Sequence, residues 1–593
     1  MLSGKMKKWI AGVLTAVMAV TAVPMNAQPV QAAETKTASI KYVEKMGSGW
    51  NLGNTFDGFV DVDDESEPDK GEESWGNPKV TKKLIQSMKK KGYKSIRMPL
   101  TLFRRYEEKD GKAVINKEFL SRYHEVVDWA VDEGMYVMIN IHHDSWKWIS
   151  AWDGKEDSQI YVRFTQLWEQ LADEFKDDSD KVCFETLNEP QFNDGTDEEK
   201  QAKLDQLNQA AYDIIRKSGG KNDTRMIVLP TINTGSEQVK LDALYNYVKG
   251  LNDKNVVATI HYYSEWVYSA NLGTTGFDDE LWKDDNGKSY TPRMAADDMF
   301  ARIKKTFTDN GIGVIIGEWG LLGYDKGDNV LQSGEELKYY EYMNYKARNA
   351  GISLMFWDNG SGVNRNSKTC AWKKPLVGKM LEASVKGRSS YAAGLDTIYI
   401  SKKPTKSVKI KLTLNGNKFK SIKGLKKNKD YTYNSKTKTI TLKKAYVEKL
   451  YKAMGKKYGQ MADLQIKFSS GADWHEYLVK NAAPSVTKKA EGTTADGIVI
   501  PVNFKGSTLR RLTAYEGENK VGPHSGWRDW LENGWAYKVD EAKGTLTLTN
   551  EFFADSSVAD GRIELKAECY DGKIFSIYLD KTGEKVVEDP KLK

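Results

Sequence analysis

Two glutamates carry the chemistry this chain is equipped for. Glu189 ends an apolar run, VCFETLNEP (182–190), and Glu318 lies near the end of another, GVIIGEWG (313–320). A carboxylate at the end of an apolar run is costly to bury without a partner. A salt bridge, for example to Arg97, would account for one such residue. Two of them, both accompanied by amide, imidazole and aromatic side chains, point to chemistry. Paired carboxyls beside rings that can stack on sugars are the equipment for hydrolysing a glycosidic bond. One carboxyl protonates the leaving oxygen, and the other stabilises or attacks the oxocarbenium-like centre.

Other runs end in polar or aromatic residues too: Asn54, His142-His143-Asp144, Asn188 beside Glu189, His261 with Tyr263, Trp319 beside Glu318, and Trp357-Asp358. No metal is expected, because adjacent histidines on a strand point to opposite faces. No cofactor is expected either, since no run is followed by a G-x-G-x-x-G phosphate loop. Cys183 lies in mid-strand without a histidine at a matching position and does not read as a nucleophile. His124 falls in a helical pattern and reads as a surface residue.

The elements that must position these residues are periodic. Between residues 40 and 385 lie eight short apolar runs: 48–54, 95–100, 136–144, 182–190, 225–233, 256–263, 313–320 and 353–360. Near-continuous apolar runs fit strands buried on both faces of a parallel sheet. Helical patterns separate them, such as Tyr123, Val126, Val127, Ala130 and Val131 before the stop at Gly134. Eight strands alternating with helices predict a (β/α)8 barrel, whose active site lies at the C-terminal ends of its strands. A doubly wound sheet is the alternative and lacks its phosphate loop.

The motifs GWNLGNTFD (49–57), WGNP (75–78), IRMP (96–99), NIHHD (140–144), LNEP (187–190), IHYY (260–263), GEWG (317–320) and FWDNG (356–360) stand in order at these run ends. In them the chain resembles glycoside hydrolase family 5, and within it the subfamily 4 endoglucanases and xyloglucanases. The resemblance implies a retaining endo-β-1,4-glucanase with Glu189 as acid/base and Glu318 as nucleophile. It implies that Arg97 and Tyr263 orient Glu318 and that Asn188 bonds the sugar 2-hydroxyl. His142, His143 and His261 would line the cleft, Trp357 would stack under the sugar, and Asn54 would contact substrate. With no arginine near it in sequence, Glu189 is expected to have the higher carboxyl pKa. Mannanase or xylanase activity on the same barrel, and a non-catalytic polysaccharide-binding wall protein, are the alternatives.

Composition fits a large globular chain: 593 residues, 40% hydrophobic and 29% charged, with 17 Trp and 30 Tyr. Three cysteines exclude a disulfide framework and are expected to be free and buried. Lys5, Lys7 and Lys8 followed by the apolar stretch 9–23 read as a signal peptide covering 1–33. A secreted, extracellular bacterial protein is therefore expected, with no membrane segment in its mature form. The net charge of +7 is concentrated in residues 391–484, with 21 Lys+Arg against 6 Asp+Glu. These lysines alternate along strand-like stretches, which suits a solvated face rather than nucleic acid. The charge steps and β-rich patterns divide the chain into a barrel domain (34–390), an immunoglobulin-like sandwich (391–484) resembling X2-type modules, and a second sandwich (485–593) resembling carbohydrate-binding module family 46. In the last, Trp527, Trp530 and Trp535 are expected to stack on sugar. The partner expected is a β-glucan polysaccharide, and the chain is expected to act as a monomer.

Overall fold

All eight apolar runs form strands, and the strands close on themselves. They are β1 (Ser48–Asn51), β2 (Ser95–Leu100), β3 (Tyr136–Ile141), β4 (Val182–Glu185), β5 (Ile227–Pro230), β6 (Val256–Tyr262), β7 (Gly313–Trp319) and β8 (Ser353–Phe356). Each pairs in parallel with its sequence neighbours, and β8 pairs back to β1, giving the expected closed barrel. The computed structural model describes residues 36–60, 68–270, 275–283, 286–325, 333–523 and 530–588. The signal-peptide segment lies outside these residues. Among the described residues no helix is long and apolar enough to cross a membrane.

Side chains two apart on a strand share a face, and this alternation layers the barrel interior. At the lower level Met138, Cys183, Val228, Val257, Ile315 and Met355 form an apolar cluster with Val43 and Met46. The last two belong to the helix Ala38–Met46, which stoppers that end of the barrel. One step up each strand the inward positions become polar: Asn51, Arg97, Asn140, Glu185 and Thr259, all buried. Another step up stand His142 and His261, and Trp357 lies one step above Met355. β7 breaks the alternation. Its register shifts between Ile316 and Glu318 against β6, and between Ile316 and Trp319 against β8. This β-bulge at Gly317 adds one residue, so Glu318 faces inward where strict alternation from Ile315 would face it out.

Beyond the barrel, strands Tyr391–Ala392, Val408–Thr413, Thr439–Leu442 and Tyr431–Asn434 form one sheet. Thr397–Ile400, Trp474–Lys480, Gly459–Phe468 and Phe419–Ile422 form a second. The expected alternation is present, as Val408–Thr413 buries Ile410 and Leu412 and exposes Lys409 and Lys411. Residues 485–588 form a four-stranded and a six-stranded sheet around a separate apolar core. The first sandwich, by contrast, shares one continuous hydrophobic cluster with the barrel. Helix Ser333–Ala350 lies between them and is buried on nearly every face. Its charges are therefore paired: Lys338 with Glu335 at 2.6 Å, and Glu341 with Arg388. Asp396 of the sandwich accepts from the Gly334 amide at 3.0 Å.

Glu476, also at this junction, is 2% exposed and accepts from Trp474 Nε1 at 2.9 Å. Burial, reinforced by Asp396 and only partly offset by Trp474 and Lys338, pushes its carboxyl up to about 8. Between the unfolded value and about 8 the folded chain therefore holds a proton that the unfolded chain has lost, and stability falls as pH rises. Glu476→Gln keeps the acceptor for Trp474 and removes this penalty. Thermal unfolding should show the variant little changed near pH 4.5 and increasingly more stable than the parent towards pH 8.

Candidate active site

The site is built around Arg97, whose side chain is fully buried on β2. Its Nε donates to Glu185 Oε2 at 2.8 Å, and its Nη1 to Glu318 Oε1 at 2.7 Å and Asn51 Oδ1 at 3.1 Å. Nη2 donates to Asn188 Oδ1 at 2.7 Å, leaving the Asn188 NH2 as the donor it can offer. The salt bridge to Arg97 considered for the run-end glutamates is thus present for Glu318, and Arg97 makes a second with Glu185, inside the fourth run. Tyr263 donates to the other oxygen of Glu318 at 2.7 Å. His142 Nδ1 faces the amide of Asn140 at 3.1 Å, and its Nε2 points to Glu318 Oε1 at 3.7 Å. Burial first, then the neighbouring His143, Arg97 and His261, holds His142 well below the usual imidazole value and hence neutral.

Glu189 follows β4 with φ +38°, a conformation that non-glycine residues rarely adopt and that marks functional turns. Its side chain is 42% exposed, and Oε1 lies 2.9 Å from His261 Nδ1. Carboxylate oxygens of Glu189 and Glu318 and a ring nitrogen of His261 lie within 4.8 Å of one another. The expectation that Glu189 has a raised pKa is corrected here. Burial pushes it up, but with His261 as the donor the hydrogen bond from its ring, and after it the influence of His261, Arg97 and His143, outweigh burial and hold it below the ordinary value.

His142 and His143 do not point to opposite faces, contrary to expectation. β3 ends at Ile141, His143 already has helical dihedrals, and the two rings are 4.4 Å apart. Asp57, His142 and His143 consequently place ligand-type atoms within 4.8 Å of one another. His143 accepts from Trp146 Nε1 at 2.9 Å and sits among Phe59, Trp75 and Trp146. Trp357 lies parallel to His142, with centroids 5.8 Å apart and 7° between planes. It also covers Gly53, where an added methyl would meet its ring at 2.8 Å, so residue 53 must be glycine. Asn54 has φ +55°, and its backbone is held by Asp57 and by the Asn77 side chain. Asn51, Asn140, Glu185 and Thr259 were not singled out in sequence. The period-2 count from Cys183 to Glu185 and from Val257 to Thr259 was the available signal.

The remaining expectations divide. His124 is not a plain surface residue: held between Asp178 and Glu174, its imidazole is pushed up to about 9, chiefly by the Asp178 hydrogen bond. All three cysteines are free and buried, and burial pushes the Cys183 thiol up to about 12. Trp535 exposes 42% of its surface, whereas Trp530 is half-buried with the Arg511 guanidinium 4.6 Å from its ring centre. Trp527 lies outside the described residues. The last sandwich reaches the barrel through Arg510, which binds Asp279 in the segment after β6 at 2.7 Å.

Comparison with known proteins agrees with this architecture. The cellulase model of glycosyl hydrolase family 5 matches residues 60–363. A carbohydrate-binding domain X2 model matches 397–477, and a further carbohydrate-binding domain model, CBM46, matches 483–589. Endoglucanase B of Paenibacillus lautus is 38% identical over 94% of both chains. The full-length tri-modular endo-β-1,4-glucanase B of Bacillus halodurans superposes with TM-score 0.81 and 34% identity, covering 93% of this chain and 98% of that one. A trimodular subfamily 5_4 endoglucanase gives TM-score 0.83 at 35% identity, covering 93% of this chain and all of that one.

Arg97→Lys tests the hub. Lysine keeps the charge but offers one point donor where the planar fork serves four acceptors. Breaking a buried pair in this way should cost about 3–5 kcal/mol of stability by denaturant titration. Glycosidase turnover should fall by roughly 100-fold or more, the scale seen when one preorganised donor is removed.

Proposed function

This chain belongs to glycosyl hydrolase family 5, and we propose that it is an exported endo-β-1,4-glucanase that works by double displacement with retention. Glu318 attacks the anomeric carbon while Glu189 protonates the leaving oxygen. Glu189 then takes a proton from the water that releases the glycosyl-enzyme. The observation that carries the mechanism is the approach of Glu189 and Glu318 oxygens to within 4.8 Å. Retaining sites hold their carboxyls about 5–5.5 Å apart, and inverting sites leave about 6.5–9.5 Å for a water. The roles follow from the surroundings. Glu318 is nearly buried and receives hydrogen bonds on both oxygens, which suits a fixed nucleophile. Glu189 is open to the cleft, where a leaving group arrives and water enters.

The β-1,4-glucan substrate is the reading favoured by the endoglucanase relatives. Asn188, with its carbonyl tied to Arg97, is suited to donate to a sugar hydroxyl, and Trp357 offers a flat floor. His142, His143, His261 and Asn54 complete the contacts. Export rests on the basic and apolar pattern of residues 5–23. The modules are 34–390, 391–484 and 485–593, with exposed Trp535 a sugar platform in the last. A monomer is the assembly proposed.

Two variants separate the roles. Glu318→Ala should lose activity on every substrate. Glu189→Ala should retain turnover of an aryl glycoside whose leaving group needs no proton, and azide should accelerate it to a β-configured product. Near-normal activity of Glu318→Ala would refute the assignment.

Deleting residues 485–593 removes Trp535 and the Arg510–Asp279 contact but spares the core shared with the first sandwich. Rates on soluble β-glucan should drop several-fold more than rates on cellotetraose. Equal losses on both would show that the module serves the barrel's structure and not substrate capture.

A further inference from the structure

Among the described residues, Oε1 of Glu185, Oγ1 of Thr259 and Nε2 of His261 are buried inside the barrel with no hydrogen-bond partner. They come from β4 and β6 and converge on one point. A methyl group built on Gly317 would stand 2.9 Å from Thr259 Oγ1, 3.2 Å from His261 Nε2 and 3.4 Å from Glu185 Oε1. The glycine at the bulge thus lets three otherwise costly orphan groups face one small polar space.

Counting donors gives that space a direction. Glu185 pairs with Arg97 through Oε2, which also accepts from Asn140, and as a carboxylate its Oε1 can only accept. The Thr259 hydroxyl has one proton, which goes to Glu185 Oε1 directly or through a bridging water. Its lone pairs, directly or through the same water, are then free to accept from Nε2–H of His261. A neutral ring protonated at Nε2 presents a lone pair at Nδ1, 2.9 Å from Glu189 Oε1. The hydrogen between them must then belong to the Glu189 carboxyl. Glu318, 3.6 Å from Nδ1, needs nothing from the ring, because Arg97 and Tyr263 already serve both its oxygens.

We propose that Glu185, Thr259 and His261 form a relay that keeps the His261 proton on Nε2 and so holds Glu189 in its protonated, acid form before each turnover. Glu185 and Thr259 are then positioning residues for the acid/base. The proposal rests on Glu189 being the acid. The proton delivered to the leaving oxygen is Glu189's own and is restored by the incoming water, while the ring proton stays in place. The Glu189–His261 bond thereby runs opposite to the direction that lowers the Glu189 pKa. The charged and titratable groups around this pair are Glu318, Arg97, Glu185, His142, His143 and Tyr263.

Thr259→Val removes the hydroxyl at nearly constant shape. The pH profile of kcat/KM would be measured on cellotetraose, which needs the acid, and on 2,4-dinitrophenyl cellobioside, which does not. The alkaline limb on cellotetraose should move down by about one pH unit, a tenfold loss above it. The activated substrate should change less than about twofold, and Thr259→Ser should restore the parent profile. An unmoved limb, or equal losses on both substrates at all pH values, overturns the relay. Nitrogen-15 NMR of His261 in the full chain should find the ring proton on Nε2; finding it on Nδ1 at the pH of activity also overturns it. Glu189→Ala on the same two substrates reads the acid assignment separately. If that variant shows no dependence on the leaving group, both readings fail. If it does and the Thr259→Val limb stays put, only the relay fails.

Discussion

A permanently charged guanidinium with no access to water governs this active site. Arg97 cannot neutralise itself by losing a proton, so its burial demands carboxylates and carbonyl-type acceptors in its own plane. It finds them on three other parts of the barrel: Asn51 on β1, Glu185 and Asn188 on and after β4, and Glu318 on β7. Two carboxylates against one cation leave excess negative charge, which is spread onto neutral donors, the Asn140 amide and the Tyr263 hydroxyl. Burial, and after it the neighbouring His143 and Arg97, hold the His142 imidazole well below its usual value.

Placing those acceptors around one point is a backbone problem. Alternation along parallel strands supplies inward positions two residues apart, enough for Arg97, Asn140, Glu185 and Thr259. It fails for Glu318, which is one residue out of phase with Ile315, and the bulge at Gly317 corrects the phase. Asn51 secures the distorted segment by donating from its amide to the carbonyls of Gly317 and Met355 at 2.9 and 3.0 Å. Glu189 is presented differently, from a left-handed turn beyond β4, and so projects into the cleft while Glu185 remains in the core.

Much of this was legible in the sequence. The eight strands stand out because a parallel barrel buries both strand faces, and the run ends mark the mouth of the barrel. Glu189, Glu318, Arg97 and Tyr263 are brought together as expected. What was hidden depended on phase and on tertiary neighbours. Glu185 sits inside the same nine-residue run as Glu189, and only its inward phase gives it a role. The divergence expected of His142 and His143 assumed a strand running through both, whereas β3 ends at Ile141. The lowered pKa of Glu189 comes from His261 and Arg97, 72 residues downstream and 92 upstream in sequence. The half-covered Trp530 depends on Arg511, on a strand paired elsewhere in its module.

The two C-terminal modules bear on the same constraint. Each docks on the connection that follows a strand of the site. The first sandwich clamps helix Ser333–Ala350, which comes after β7 and Glu318, through Asp396 and a shared apolar cluster. The second reaches Asp279, in the segment after β6 with its His261 and Tyr263, through Arg510. Both contacts thus fall on the segments C-terminal to β6 and β7, the strands that carry His261 and Glu318. The modules are therefore joined to the barrel by packing and ion pairing, apart from any sugar they hold. That attachment requires no contact between module and substrate.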